Sequence, residues 1–272
     1  MQEVERLPLL GTNHSSLDLS SDGHWLALGD RAGKLQVWDF MAHRLVTNLV
    51  FPESGILLPI FLPRRNMLVC GSVGLNRPTS LKLWAVDGWR ELSLQGINLT
   101  NLFGPTFSPN EQTLAIGYTD GTAAWWDLAT GQRLAFFDCH YASPVYVAFS
   151  PDGRLFATAG MNGLMTLWDV ATQRPKPIGR GYGSALHALV FSPDGQRLIA
   201  AGSSPKSLAK LWDVKTGREV ATLPGEPGWF PRIGFSPDGT TLFAASLEGT
   251  ALLWRAPSLA EIEAKEKEKR AP

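Results

Sequence analysis

Short stretches in which apolar and polar residues alternate recur along the whole chain, separated by turn signals rich in Gly, Pro, Asp and Asn. This alternation predicts β-strands, and helical periodicity is missing until the last residues. In each repeated unit the third strand ends with a tryptophan, and six of these recur at intervals of 42 to 46 residues. A unit of that length holds four short strands, so the pattern predicts six antiparallel sheets. The six tryptophans, which we expect to be structural, are Trp38, Trp84, Trp126, Trp168, Trp212 and Trp254.

The turns within each unit have their own signatures. Ser-Pro-Asp-Gly at 150–153, 192–195 and 236–239 predicts the hairpin between the first and second strands, a and b. Proline presets φ, aspartate bonds its own backbone and glycine adopts a positive φ. The pairs at 120–121, 162–163 and 248–249 mark the b–c turn, and the segments at 127–131 and 213–217 mark the c–d turn. Copies two and five carry extra residues within 72–80 and 203–207, where a fixed unit would carry a variable b–c loop.

The two ends of the chain suggest how the array closes. Residues 3–8 match residues 219–224, a predicted outer strand d, at four of six positions. Residues 3–10 are therefore expected to complete the last sheet and close a six-bladed β-propeller, since pairing of the two ends removes open sheet edges. The alternative is a piece of a longer protein with seven or more blades. Deletion of residues 1–10 tests the closure, because unchanged thermal stability would exclude that pairing.

The repeated phrase Phe-Ser-Pro-Asp-Gly, then an apolar strand, Asn-Gly or Asp-Gly, and Leu-Trp-Asp resembles the WD-repeat β-propellers over residues 3–255. The style of the turn resembles bacterial members, which often accompany signalling domains. The resemblance implies a polar network in the fourth copy, formed by His140 with Thr158, Asn162 and Trp168. In the other copies we expect packing and strand pairing to replace that network. The second copy has lost its turn motif at 62–66, and we expect it to be the least regular.

The domain organisation follows from the repeat. We expect one WD-repeat propeller over residues 1–257 and a charged tail over 258–272. The tail has a serine cap and opposite charges spaced i,i+4, which predicts a short helix.

The composition limits the classes of partner that we expect. Basic and acidic residues number 25 each, so the basic excess that favours nucleic acid or anionic membranes is missing. No stretch of about 18 apolar residues and no export signal are visible, so we expect a cytoplasmic protein. The two cysteines, Cys70 and Cys139, fall in different copies, which argues against a disulfide.

No catalytic or metal-binding motif emerges from the sequence. The five histidines are scattered and show no metal-ligand spacing with the cysteines, so we expect no metal and no cofactor. Residues 29–34 resemble a phosphate-binding loop only superficially, since three residues instead of four separate the glycines.

The expected function is a non-enzymatic platform, a monomer that binds a protein or peptide where the d–a and b–c loops gather around the channel mouth. Bacterial signalling is the setting that the resemblance implies, with the chain as scaffold or sensor. The alternative is a propeller enzyme, for instance a hydrolase, with its active site at the mouth of the central channel. Exposed aromatic and arginine residues supply most binding hot spots. The candidate partner-binding residues are Arg31, Arg77, Phe103, Thr119, Tyr141, Met161, Tyr182, Lys206, Trp229 and Leu247.

Overall fold

The computed structural model describes residues 14–30, 32–51, 56–73, 80–92, 94, 96–99, 101–140, 143, 145–176, 178, 185–204, 207–224, 232–245 and 251–255. Over these ranges the regular structure consists of β-strands and two 3-10 turns, without an α-helix. The strands form six antiparallel sheets, each built from strands that are consecutive in the chain. Six sheets are what the tryptophan spacing predicts.

The first three sheets have four strands each. The first contains β1 (His14–Leu19), β2 (Trp25–Asp30), β3 (Lys34–Asp39) and β4 (Arg44–Val50). The second contains β5 (Ile56–Leu62), β6 (Met67–Val73), β7 (Leu81–Ala85) and β8 (Arg90–Leu92). The third contains β9 (Leu102–Phe107), β10 (Thr113–Tyr118), β11 (Thr122–Asp127) and β12 (Arg133–Asp138).

The fourth and fifth sheets repeat this plan, and three strands of the sixth are described. The fourth contains β13 (Val145–Phe149), β14 (Leu155–Gly160), β15 (Met165–Asp169) and β16 (Pro175–Lys176). The fifth contains β17 (Leu186–Phe191), β18 (Arg197–Ser204), β19 (Ser207–Asp213) and β20 (Glu219–Leu223). The sixth contains β21 (Arg232–Phe235), β22 (Thr241–Ala245) and β23 (Ala251–Arg255).

Two expectations concern residues that the structure does not describe. Residues 3–10, expected to complete the sixth sheet, and the helix expected in the tail 258–272 both lie outside the described residues. Both stay predictions.

The Ser-Pro-Asp-Gly turns form as the sequence predicts. The Gly153 amide donates to the Ser150 carbonyl at 2.9 Å, and Gly153 has a φ of 70°. Asp152 Oδ1 accepts from Ser150 Oγ at 2.6 Å and from the Arg154 amide at 3.0 Å, which holds the pKa of its carboxyl below the usual value. The same bonds recur at 192–197 and 236–241. These local bonds fix the a–b hairpin of the fourth, fifth and sixth sheets.

The c–d turns share a left-handed residue four positions after the first aspartate. Gly131 and Gly217 occupy it with φ of 69° and 67°. In two other copies His43 and Gln173 adopt φ of 52° and 55° at the same place. A left-handed conformation costs an L-residue roughly 1–2 kcal/mol. The aspartate offsets part of this cost, as Asp169 does by accepting the Thr172 amide at 2.9 Å.

The contacts divide the chain into two compact units, residues 1–118 with 124–136, and residues 119–123 with 137–272. In the first unit, apolar clusters lie between the first and second sheets and between the second and third. In the second unit, clusters lie between the fourth and fifth sheets and between the fifth and sixth. Each core is therefore a layer between consecutive sheets, and the third-strand tryptophan of the later sheet packs into it.

The register confirms that five of the six tryptophans occupy equivalent places. Trp38, Trp84, Trp168, Trp212 and Trp254 each lie in the third strand opposite a large apolar residue of the second. Those partners are Leu26, Leu68, Phe156, Leu198 and Leu242.

The second sheet corrects one expectation. Its register runs unbroken from β5 to β8, whereas the first, third and fifth sheets contain bulges. The lost turn motif is replaced by a 3-10 turn at Pro63–Arg65 that ends at Asn66 with a φ of 51°. The Arg65 amide is bound by Glu111 Oε2 at 3.1 Å, so a contact to the next sheet fixes this turn. The copy with the most degenerate sequence therefore keeps a regular ladder.

Candidate functional site

The b–c turns of the third and fourth sheets share one backbone design. Gly121 and Gly163 take φ of 96° and 81°, which a residue with a Cβ would adopt only under strain. The residue before each glycine fixes the turn, since Asp120 Oδ1 accepts the Thr122 amide at 3.0 Å and Asn162 Oδ1 accepts the Leu164 amide at 3.1 Å. The position before that pair carries a different side chain in each copy.

A d–a segment joins these two turns. The amides of Cys139 and His140 donate to the Gly121 carbonyl at 3.2 and 3.0 Å. On the other side, the Asn162 amide donates to Ser143 Oγ at 3.0 Å, and Asn162 Nδ2 donates to the His140 carbonyl at 3.2 Å. We call residues 119–121, 139–140, 143 and 161–163 the loop surface. All of it lies within the second unit.

The first copy shows the same neighbourhood in the first unit. The amide of Phe51, just after β4, donates to the carbonyl of Gly33 in the b–c turn at 2.7 Å. In both copies the d–a segment therefore lies against a b–c turn, as expected for loops that share one end of their sheets.

A buried hydrogen-bond network supports the loop surface from below. His140 is 1% exposed and Thr158 is 0% exposed. Trp168 Nε1 donates to Thr158 Oγ1 at 3.1 Å, and Thr158 Oγ1 lies 3.0 Å from His140 Nε2. The Thr158 hydroxyl therefore accepts from the indole and exchanges a second hydrogen bond with the His140 imidazole. Three of the four residues that the resemblance implies thus form the network, while the fourth, Asn162, binds the backbone carbonyl of His140 and not its imidazole.

Gly160 makes the network possible by leaving room. A Cβ at this position would lie 2.5 Å from Asn162 Oδ1 and 2.9 Å from the His140 Cβ. Strand β14 therefore ends in a glycine because the turn residue and the histidine both approach its backbone.

Two ionisable side chains of this surface, His140 and Cys139, are neutral near pH 7. Burial lowers the pKa of His140, and burial raises the pKa of the Cys139 thiol to about 12. A protonated thiol is a poor nucleophile and a neutral imidazole bound through Nε2 is a poor base. Over the described residues no group of three or more His, Cys, Asp or Glu side chains could hold a metal ion. The arrangement presents side chains on a fixed backbone.

Three of the ten candidate partner-binding residues are described. Thr119 is exposed and Met161 half-buried, and they occupy the same position of consecutive b–c turns, as predicted. Phe103 corrects the prediction, because it lies in strand β9 and not in a loop. The fully buried Leu102 pairs with Tyr118 and Gly104 pairs with Gly117, so Phe103 falls at a bulge near the start of that strand. The other seven, Arg31, Arg77, Tyr141, Tyr182, Lys206, Trp229 and Leu247, lie outside the described residues.

Two residues that the sequence analysis missed bind tryptophan indoles in other copies. Trp38 Nε1 donates to Gln36 Oε1 at 3.2 Å, and Gln36 is fully buried. Trp126 Nε1 donates to the Tyr118 hydroxyl at 3.0 Å, which in turn donates to the Asn98 carbonyl at 3.0 Å. The expectation that packing replaces polar networks is therefore wrong for the first and third copies. A glutamine two residues before the tryptophan, on the same strand face, was the available signal.

Comparisons with known proteins agree with the repeat. Residues 131–169 and 217–255 match the family model described as WD domain, G-beta repeat. Each match starts at the c–d turn of one sheet and ends at the third strand of the next, so it covers one full period. No curated protein sequence matches the chain.

Solved structures resemble the chain in fold. The computationally designed Ika8 protein superposes with a TM-score of 0.70 at 22% identity, over 89% of this chain and 71% of that one. A chain in the crystal structure of a mitotic checkpoint complex superposes with a TM-score of 0.75 at 22% identity, over 90% of this chain and 75% of that one. With the repeat match, these likenesses and the six antiparallel sheets establish the fold of WD-repeat propeller proteins. A fold shared with 1725 solved chains does not by itself select a function.

No helix in the described part of the chain is long and apolar enough to span a membrane.

Proposed function

We propose that the protein is a non-enzymatic interaction platform that binds a protein or peptide on the loop surface. One observation carries the proposal: the loop surface holds its backbone rigidly while the side chains at equivalent positions differ. Asp120 and Asn162 hold the same turn by the same bond, whereas the residue before them is Thr119 in one copy and Met161 in the other. Rigid scaffolds that vary exposed loop residues are the usual basis of specific binding.

The side chains indicate what such a contact uses. Met161 is half-buried and supplies a polarizable, flexible apolar contact. Thr119 is exposed and adds a small hydroxyl. The described residues of the d–a segment, 139–140 and 143, bond to the two turns, so little ordering entropy is lost at these residues when a partner binds. A partner segment with an apolar residue at its centre fits this surface.

The fold supports the same class of function. WD-repeat propellers generally act as protein interaction scaffolds, and one similar structure is, by its title, part of a mitotic checkpoint complex. A role as scaffold or sensor in a cytoplasmic bacterial signalling protein extends the proposal and rests on the sequence resemblance alone.

Paired charge substitutions on the loop surface test the proposal. Thr119→Glu with Met161→Glu should abolish capture of a partner that the wild-type chain binds, because both turn tips then carry charge that the partner must desolvate. Arg154→Glu is the control, since Arg154 is exposed like Thr119 but lies in the a–b turn at the opposite end of β14. Capture that survives the double substitution, measured by affinity pull-down and titration calorimetry, refutes the loop surface as the binding site.

A further inference from the structure

A cleft opens between the fifth and sixth sheets, at the end where their a–b turns lie. Both sheets belong to the second unit. The cleft has a volume of about 570 Å³, which is in the range of small-molecule sites, roughly 300–1,000 Å³. We call it the turn cleft, and its apolar floor consists of Leu211, Leu223, Phe235, Leu242 and Trp254.

The same place between the fourth and fifth sheets is closed. There Leu167, Phe191 and Trp212 are 1%, 6% and 1% exposed and belong to one packed cluster. Their counterparts in the turn cleft are only half-buried; these are Leu211, Phe235 and Trp254. The repeat therefore places the same types of side chain in both layers but leaves the second layer open.

One substitution between the copies accounts for the opening. Leu155, the first residue of β14, packs against the cluster between the fourth and fifth sheets. Arg197 occupies that place in the fifth sheet, since Leu155 pairs with Asp169 and Arg197 with Asp213 in equivalent ladders. The Arg197 guanidinium donates to the Asp213 carboxylate of its own sheet, so it lines the turn cleft without filling it.

The rim of the turn cleft is negatively charged. Asp194 and Asp238 are exposed there, and each accepts a serine hydroxyl and a backbone amide of its own turn, which holds the pKa of both carboxyls below the usual value. Asp213 compensates the charge of Arg197, and Arg255 adds one positive charge. Two carboxylates against one uncompensated arginine leave one negative charge in excess, which suits a ligand with a single positive charge.

We propose that the turn cleft binds a small aromatic amine, with its ring on the apolar floor and its ammonium group at Asp194 and Asp238. Trp254 and Phe235 offer half-buried rings for the aromatic contact. A ligand with the same ring on a carboxylate meets the excess negative charge of the rim and binds less well. The turn cleft lies at the a–b end of the sheets, whereas the loop surface lies at the b–c end, so this site does not depend on the proposed function.

Titration of the wild-type chain with tryptamine, followed through the amide signals in nitrogen-15 NMR spectra, tests the proposal. Binding should shift the signals of the two a–b turns, 192–197 and 236–241, with a dissociation constant of about 1 mM or below, as expected for a ligand of this size. Indole-3-propionate is the matched probe, since it carries the same ring on a carboxylate. It should bind about threefold to tenfold more weakly.

Two charge variants test the role of the rim. Asp194→Asn combined with Asp238→Asn removes both charges but keeps the Oδ1 acceptors that hold the turns, and should weaken tryptamine binding about threefold to tenfold. Asp152→Asn is the matched control. Asp152 makes the same turn bond in the fourth sheet and does not line the turn cleft, so its substitution should leave the affinity unchanged.

Arg197→Leu tests the cause of the opening. This variant copies Leu155, so the leucine should close the turn cleft and abolish tryptamine binding. Circular dichroism shows whether the variant keeps its sheets, and should it unfold, the aspartate variants and the two probes still decide. The proposal is overturned by a wild-type chain that does not bind tryptamine or binds it no tighter than indole-3-propionate, by signal shifts confined to other sheets, or by binding that survives in a folded Arg197→Leu chain.

Discussion

Replacing Thr158 with valine tests the network beneath the loop surface. The substitution keeps the shape of the side chain but removes the hydroxyl that joins Trp168 Nε1, at 3.1 Å, to His140 Nε2, at 3.0 Å. Two polar atoms then lose their partner in a site where Thr158 is 0% and His140 1% exposed. A buried polar group left unsatisfied costs about 1–3 kcal/mol.

We expect the total loss of stability to be smaller than the sum of the costs for two unsatisfied polar atoms. Trp168 is only half-buried, so its N–H can regain some hydration, and the added methyl contributes about 0.8 kcal/mol of burial. We therefore expect Thr158→Val to lower the free energy of unfolding by about 2–4 kcal/mol. The measurement is urea unfolding followed by circular dichroism, with hydrogen exchange of β14 as a local probe.

Two further variants separate the contribution of the Thr158 hydrogen bonds to stability from the contribution of its packing. Thr158→Ser keeps the donor and acceptor and should cost only about 1 kcal/mol for the lost methyl. Combining Thr158→Val with Trp168→Phe should give a coupling energy of about 1–2 kcal/mol, because each single change already breaks the same bond. A Thr158→Val chain within about 0.5 kcal/mol of wild type would refute the reasoning.

Three other perturbations have defined outcomes. Burial lowers the pKa of His140 in the folded state below its usual 6.5, so the contribution of the neutral imidazole to the free energy of unfolding is fully present above pH 6.5 and is lost as the pH falls toward the folded pKa. His140→Gln should therefore flatten the decline of the unfolding free energy below pH 6.5, and an unchanged slope would contradict this. Gly217→Ala should destabilise by about 1–2 kcal/mol while Gln173→Gly is neutral or stabilising, since both positions are left-handed; equal signs in thermal unfolding would exclude the strain argument. Gly160→Ala should cost about 1–3 kcal/mol, because its Cβ would overlap Asn162 and His140, and a wild-type melting temperature would show that the site relaxes freely.

The architecture was predictable because its signals are local and repeated. The turn residues at 150–153 predict one hairpin, and the tryptophan spacing predicts the length of one sheet. Because these signals recur along the chain, together they predict the repeated architecture. The second sheet was misjudged because its turn is fixed by Glu111, a residue 46 positions from Arg65, and no local pattern reveals such a contact.

The candidate site was only partly predictable for the same reason. Thr119 and Met161 were found because a turn position can be counted from the tryptophan. Phe103 was misplaced because the start of β9 depends on the burial of Leu102 in a core shared with another sheet. The role of Tyr118 was not predicted, because its hydroxyl binds the Trp126 indole from a different strand position than the one from which Thr158 binds Trp168.

The self-contained a–b hairpins have a consequence for how the chain acquires its structure. Residues 145–169 close three strands through contacts between near neighbours, with both connecting turns held by their own side chains. Segments with short-range contacts form quickly, so this stretch is the natural nucleus from which order spreads to adjoining repeats. A peptide spanning 145–169 should therefore retain residual sheet structure, and substitutions there should slow refolding more than they speed unfolding.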